Sequence, residues 1–148
     1  MQALADVLCG SNEAPLVRCV LSAGLARDVE MSVTDGIQQP FVRLKLENMN
    51  EARVSEAQEA IREELTRQIN GGLDHRRLTA SLANLELHMR ERDYGPTPRG
   101  LVFGMSVLDN WLYGGDPAAN LEVGELFDSL NRKMDEGWFE RLLVSTPT

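Results

Sequence analysis

The stretch DVEMSVTDGIQQPFVRLKLE, residues 28–47, decides the fold class. Val29, Met31 and Val33 alternate with Asp28, Glu30, Ser32 and Thr34. After Asp35-Gly36 and Pro40 the alternation resumes, with Val42, Leu44 and Leu46 set against Arg43, Lys45 and Glu47. Two runs of period two, separated by turn-forming residues, predict two half-buried strands of an antiparallel pair. A lone hairpin is marginal in water and needs further strands or a covering layer. Because the rest of the chain has the helical period, the expectation is an α+β fold. A small antiparallel sheet of few strands is covered by several helices, in a single domain over residues 1–148.

On the N-terminal side, Gln2 to Leu8 is apolar and helical in character, with no capping side chain ahead of it. Gly10-Ser11-Asn12 breaks that run. Pro15 then suits the first position of a helix whose face is Leu16, Val17, Val20 and Leu21 and whose end is Gly24. On the C-terminal side, Val54, Ala57, Ile61, Leu65 and Ile69 fall three and four apart, and Gly71-Gly72 closes the helix. Asp74 caps a helix with the stripe Leu78, Leu82, Leu85 and Met89, closing at Gly95. Thr97-Pro98 opens another, with Leu101, Met105, Leu108 and Leu112. Asp116-Pro117 caps one carrying Leu126, Leu130 and Met134, which stops near Gly137, and Trp138 to Val144 forms a last helix or turn. The short connection from Tyr94 to Pro98 predicts that the two leucine stripes face each other as an antiparallel helix pair. The uncapped start and the Pro147-Thr148 end lead to the expectation that flanking strands lie outside this chain, a piece of a larger protein.

Composition narrows the function classes. At 148 residues with 43% hydrophobic and 26% charged side chains, the chain can bury a core and lies away from disorder. Its 23 acidic and 15 basic residues give a net charge of −8, the wrong sign for a partner bound through phosphates. No nucleic-acid partner is expected. Apolar runs are far shorter than the roughly 20 residues a membrane helix needs, and the first ten residues carry no basic cluster, so neither a membrane partner nor a signal peptide is expected. Cys9 and Cys19 make no C-x-x-C pair and read as buried free thiols in a reducing compartment, with a Cys9–Cys19 disulfide as the alternative. His75 and His88 have no second metal-type residue at the right spacing, so no metal ligand is assigned here.

Several ordered segments resemble the insulinase-like (pitrilysin-type) zinc metallopeptidases, in the presequence protease branch. They are Gly10-Ser11-Asn12-Glu13-Ala14-Pro15-Leu16, then Gly24-Leu25 and Gln39-Pro40. Further on come Glu86, Arg90-Glu91, Pro98-Arg99-Gly100-Leu101, Trp111-Leu112-Tyr113 and Gly115-Asp116-Pro117. Two departures are Ala14, where a serine usually caps, and Gly114, where an acidic residue is usual. The resemblance implies the LuxS/MPP-like metallohydrolase fold, built of two homologous halves that close around a chamber. It implies zinc held elsewhere in the full-length enzyme by an inverted H-x-x-E-H motif. That motif is absent from this sequence, so the segment corresponds to the second, non-zinc-binding domain of the N-terminal half, with no catalytic or metal residue of its own and no cofactor.

The function implied is that of a substrate-enclosing, non-catalytic domain of a zinc-dependent metalloendopeptidase that degrades short unstructured peptides. By itself the segment is expected to be inactive. The resemblance also implies that a strand and a neighbouring glycine-containing loop anchor the substrate as an added strand. The candidate residues are Gly10, Ser11, Val29, Glu30, Met31 and Ser32. Expected partners are the remaining domains of the peptidase and unstructured basic peptides, together with an edge-mediated oligomer of the segment. The expected location is the bacterial cytoplasm or an organelle matrix. Glu51, Glu56, Glu59, Glu63 and Glu64 read as a solvated helix face or, more sharply, as an acidic wall that steers basic peptides. Trp111 and Tyr113 read as core aromatics, with a peptide-contacting wall as the alternative, and Glu86 and Arg90 as a helical ion pair, with Arg90 or Arg99 orienting the chamber loop as the functional alternative. The alternative function is a free-standing helical protein-interaction module that binds a partner helix through a leucine stripe.

Overall fold

A computed structural model of the chain describes residues 1–35, 37–91, 95–117 and 123–145. The two alternating runs form β1 (Asp28–Thr34) and β2 (Phe41–Glu47), paired antiparallel. Val29 lies opposite Leu46, Met31 opposite Leu44 and Val33 opposite Val42, so the apolar side chains share one face. A slip of one residue would turn that whole set to water, which is why the pattern alone specifies the register.

Helices α1 (Gln2–Cys9) and α2 (Pro15–Ser22) precede the hairpin. After it, a 3₁₀ turn at Glu51–Arg53 leads into α3 (Val54–Gly71), α4 (His75–Glu91), α5 (Arg99–Trp111), α6 (Val123–Asp135) and α7 (Trp138–Ser145). The fold is helix-rich α+β with a small two-stranded antiparallel sheet, as the hairpin and the helical periods predict. Helix boundaries follow local chemistry. Asp74 Oδ1 accepts the backbone N–H groups of Arg76 and Arg77 at 3.0 and 3.1 Å, and Gly72 adopts a φ of 80° that a side chain would resist. The cap expected at Asp116-Pro117 precedes residues 118–122, which lie outside the described residues; α6 is described from Val123.

Two apolar clusters form the core. One gathers Leu4 and Leu8 of α1, Leu16 of α2, Leu78 and Leu82 of α4, Phe127 of α6 and Phe139 of α7. The other joins Val17 and Val20 of α2 with Leu25, Val29 of β1 and Ala57 of α3. Cys9, Leu44 and Ile61 touch both. Ala14 belongs to the second cluster and is fully buried, which explains its place where a polar cap is usual: there the helix start packs instead of bonding. Arg53 ties the clusters' periphery, donating to the carbonyl of Gly24 at 3.0 Å while pairing with Glu56.

Three sequence expectations are corrected. First, among the described residues α4 packs on α1 and α6, and no comparable packing joins it to α5. The stripe of α5 faces outward, with Leu101 56%, Met105 58% and Leu112 69% exposed. Its opposite side carries half-buried Val102, Phe103 and Val107, so the helix is apolar nearly all round and periodicity could not say which side is inner. Second, Trp111 and Tyr113 at its end are exposed rather than core. Third, Glu64 is not part of a solvated acidic face. It is buried, accepting from Arg67 and, at 2.8 Å, from Gln68, while Arg62 and Arg67 interleave with Glu59 and Glu63 on the rest of that face.

Both cysteines are free thiols, half-buried rather than buried. Cys19 donates to the Ala60 carbonyl at 3.6 Å, and desolvation pushes the Cys9 thiol up to about 12. Since the thiolate is the reactive form, iodoacetamide at pH 8 is expected to modify Cys9 about a thousandfold more slowly in the folded chain than in urea. Mass spectrometry of the two samples measures this, and equal rates would show that Cys9 is not desolvated.

Candidate peptide-binding groove

The chemistry-bearing candidates converge where α1 runs beside β1. Helix α1 turns Leu4 and Leu8 into the core, which leaves Gln2, Ala5, Asp6 and Cys9 facing β1 across a groove of about 270 Å³. From the strand side, Asp28, Val29, Glu30 and Met31 line it. Residues of both alternating sets reach this space, so it runs along the outer margin of the strand rather than over one face.

Gly10 closes the groove at the C-terminal end of α1. Its N–H donates to the Asp6 carbonyl at 2.7 Å, and a Cβ built there collides with both the carbonyl and the carboxylate oxygens of Asp6. Only glycine admits this approach. Gly10→Ala is expected to cost about 1–3 kcal/mol, the range for a side chain forced into occupied space. Thermal unfolding tests it, and a variant as stable as the parent would show that the turn relaxes freely.

Of the six sequence candidates, the structure brings Gly10, Val29, Glu30 and Met31 into this one groove. Ser11 lies in the exposed turn beyond it, its carbonyl accepting from Ala14 N–H at 2.9 Å. Ser32 is on the hairpin's outer face, where its hydroxyl accepts from Arg43 Nε at 3.5 Å. Two charged groove residues are absent from the sequence candidates. Asp6 and Asp28 join Glu30, so three carboxylates and no lysine or arginine line the space. Asp28 holds its position by accepting the Val29 N–H at 2.9 Å. This acidic lining is separate from α3, where Glu51, Glu56, Glu59 and Glu63 are exposed as a solvated face. Asp6 carried a weak signal, the lone charge in an apolar helix, but its meaning depends on a strand more than twenty residues away in sequence.

Among the described residues, no group of three His, Cys, Asp or Glu side chains converges to hold a metal ion. His75 Nε2 lies 4.0 Å from Glu140 Oε1, whose carboxylate also accepts the Leu73 N–H at 3.3 Å, a link between α7 and the start of α4. No helix among the described residues is long and apolar enough to cross a membrane.

The fold is thus that of a helix-rich α+β segment with an acidic groove beside a short hairpin. No protein-family model matches the chain. It is 29% identical over 140 residues to Protein HypA of Clostridium perfringens, covering 95% of this chain and 14% of that protein. It is 28% identical over 134 residues to Presequence protease 1, chloroplastic/mitochondrial, of Arabidopsis thaliana, covering 90% of this chain and 12% of that protein. The chain therefore spans about one seventh or less of the length of these relatives. The second likeness supports a distant, insulinase-like relationship to a presequence protease.

Proposed function

We propose that this segment is a substrate-enclosing, non-catalytic domain of a zinc-dependent metalloendopeptidase acting on short, unstructured, basic peptides. The observation that carries the reading is the α1–β1 groove, whose lining has Asp6, Asp28 and Glu30 as its only charged groups. The similarity to a presequence protease covers 90% of this chain. Three carboxylates around a narrow space attract cationic side chains and raise their local concentration at low salt. Zinc and the glutamate base that activates water would come from polypeptide beyond these residues, since the sequence holds no H-x-x-E-H. The remaining domains of that enzyme would be its partners, in a bacterial cytoplasm or an organelle matrix.

The test is amide hydrogen exchange on the full chain with an arginine-rich unstructured peptide. Slower exchange at Val29 to Ser32, weakened by Asp6→Asn with Glu30→Gln and by added salt, is expected. Exchange unchanged by excess peptide sinks the assignment. A second reading, a helical interaction module, rests on the outward leucine stripe of α5; a reading frame that begins at Met1, with no H-x-x-E-H upstream, would favour it.

A further inference from the structure

The apolar face of the hairpin is wider than the helices cover. Helix α1 packs on β1, whereas α3 packs on α2 and α7, and between them Met31, Val42 and Leu44 of the sheet border a pocket of about 470 Å³. Its floor is Leu4 and Leu8 of α1, both buried in the core. Leu65 and Ile69 of α3 and Leu143 of α7, all half-buried, form the facing wall. Apart from Arg62 and Thr66, every lining residue is apolar. These two stand one turn apart on α3 and are exposed, at the mouth of the pocket. The Thr66 hydroxyl is engaged, donating to the Arg62 carbonyl at 2.8 Å. The Arg62 guanidinium is not: among the described residues it enters no ion pair, although Arg53 and Arg67 on either side of it both do.

We propose that this pocket binds a medium-chain carboxylate, an unbranched aliphatic chain of about ten carbons with one anionic head, a size suited to a cavity of a few hundred Å³. The chain lies between the hairpin face and α3, and the head reaches the Arg62 guanidinium. The lining disfavours the nearest alternatives. A peptide end would carry backbone N–H and C=O groups into a space whose inner side chains offer them no partner. An aliphatic chain carries none. A cationic amphiphile would set its head against Arg62. Glu59 and Glu63 share the exposed surface of α3 with Arg62, so a carboxylate without a chain gains little there. The chain supplies most of the affinity, each buried methylene strengthening binding about fourfold, and Arg62 selects the sign of the head. The pocket shares only Met31 with the acidic groove beside β1, so binding here is independent of the peptide reading and either can fail alone.

The probe is sodium decanoate, kept below its micellar range and titrated into the full chain while NMR follows the methyl groups of Leu44, Leu65 and Ile69. Saturable shifts at these residues are expected. Hexanoate, four methylenes shorter, should bind about a hundredfold more weakly, and decyltrimethylammonium about tenfold more weakly. In the Arg62→Glu variant the preference should reverse, so that decyltrimethylammonium binds the tighter of the two; Arg62 is exposed and unpaired, so folding is retained. Three results would overturn the proposal: no saturable shift with decanoate, equal binding of the anionic and cationic amphiphiles by the parent chain, or shifts confined to the exposed stripe of α5. Tighter binding by a peptide with a free C-terminal leucine than by decanoate would instead assign the pocket to a chain end.

Discussion

Replacing Phe139 with alanine is expected to lower the unfolding free energy by about 3–5 kcal/mol, the cost of emptying a large aromatic site in a packed interior. Phe139 is 2% exposed and meets Trp138 edge to face at 5.1 Å between ring centroids. It joins the cluster that contains Leu4, Leu8, Leu78 and Phe127, so a helix of only eight residues is anchored to partners from the far end of the chain. Against a typical total stability of about 5–15 kcal/mol, such a loss leaves little folded protein. Urea titration followed by far-ultraviolet circular dichroism measures it. Val144→Ala, at a position 63% exposed, serves as the control and should change stability by less than about 0.5 kcal/mol. A Phe139→Ala cost below about 1 kcal/mol would show that α7 does not belong to the core.

The second large effect is a contrast between two leucines of equal rank in the sequence pattern. Leu82 on α4 is 2% exposed, whereas Leu108 on α5 is 42% exposed. Leu82→Ala should therefore cost about 2–5 kcal/mol, and Leu108→Ala less than about 1. If both cost several kcal/mol, the outer side of α5 is covered in solution and the packing of α4 on α6 is not its whole environment. The same urea titration decides, with midpoint and slope both recorded, since a changed slope would report a change in compactness rather than in stability.

These two leucines also show where legibility stops. The hairpin could be read because side-chain alternation encodes both its existence and its register. The starts of α2 and α4 could be read because Pro15 and Asp74 act on backbone groups within three residues. The inner side of α5 could not, because Val102, Phe103 and Val107 oppose Leu101, Met105 and Leu108, and a local period has no knowledge of which side meets a neighbour. Glu64 was misplaced for a related reason. Its partners Arg67 and Gln68 are one turn away, so a satisfied buried carboxylate and a solvated one look alike along the chain. In the groove, Gly10 and the β1 residues came from a resemblance in the loop and strand. Asp6 left only a weak trace, a lone charge in an apolar helix, and its place in the groove follows from the long-range contact of α1 with β1.

Helices α4 and α6 pack directly on one another although α5 separates them along the chain. Between them the described residues add one helix, α5, whose leucine stripe is exposed. Because α4 and α6 meet without it, α5 is where a protein engineer can open the chain to make new ends or graft in a second domain while keeping that contact.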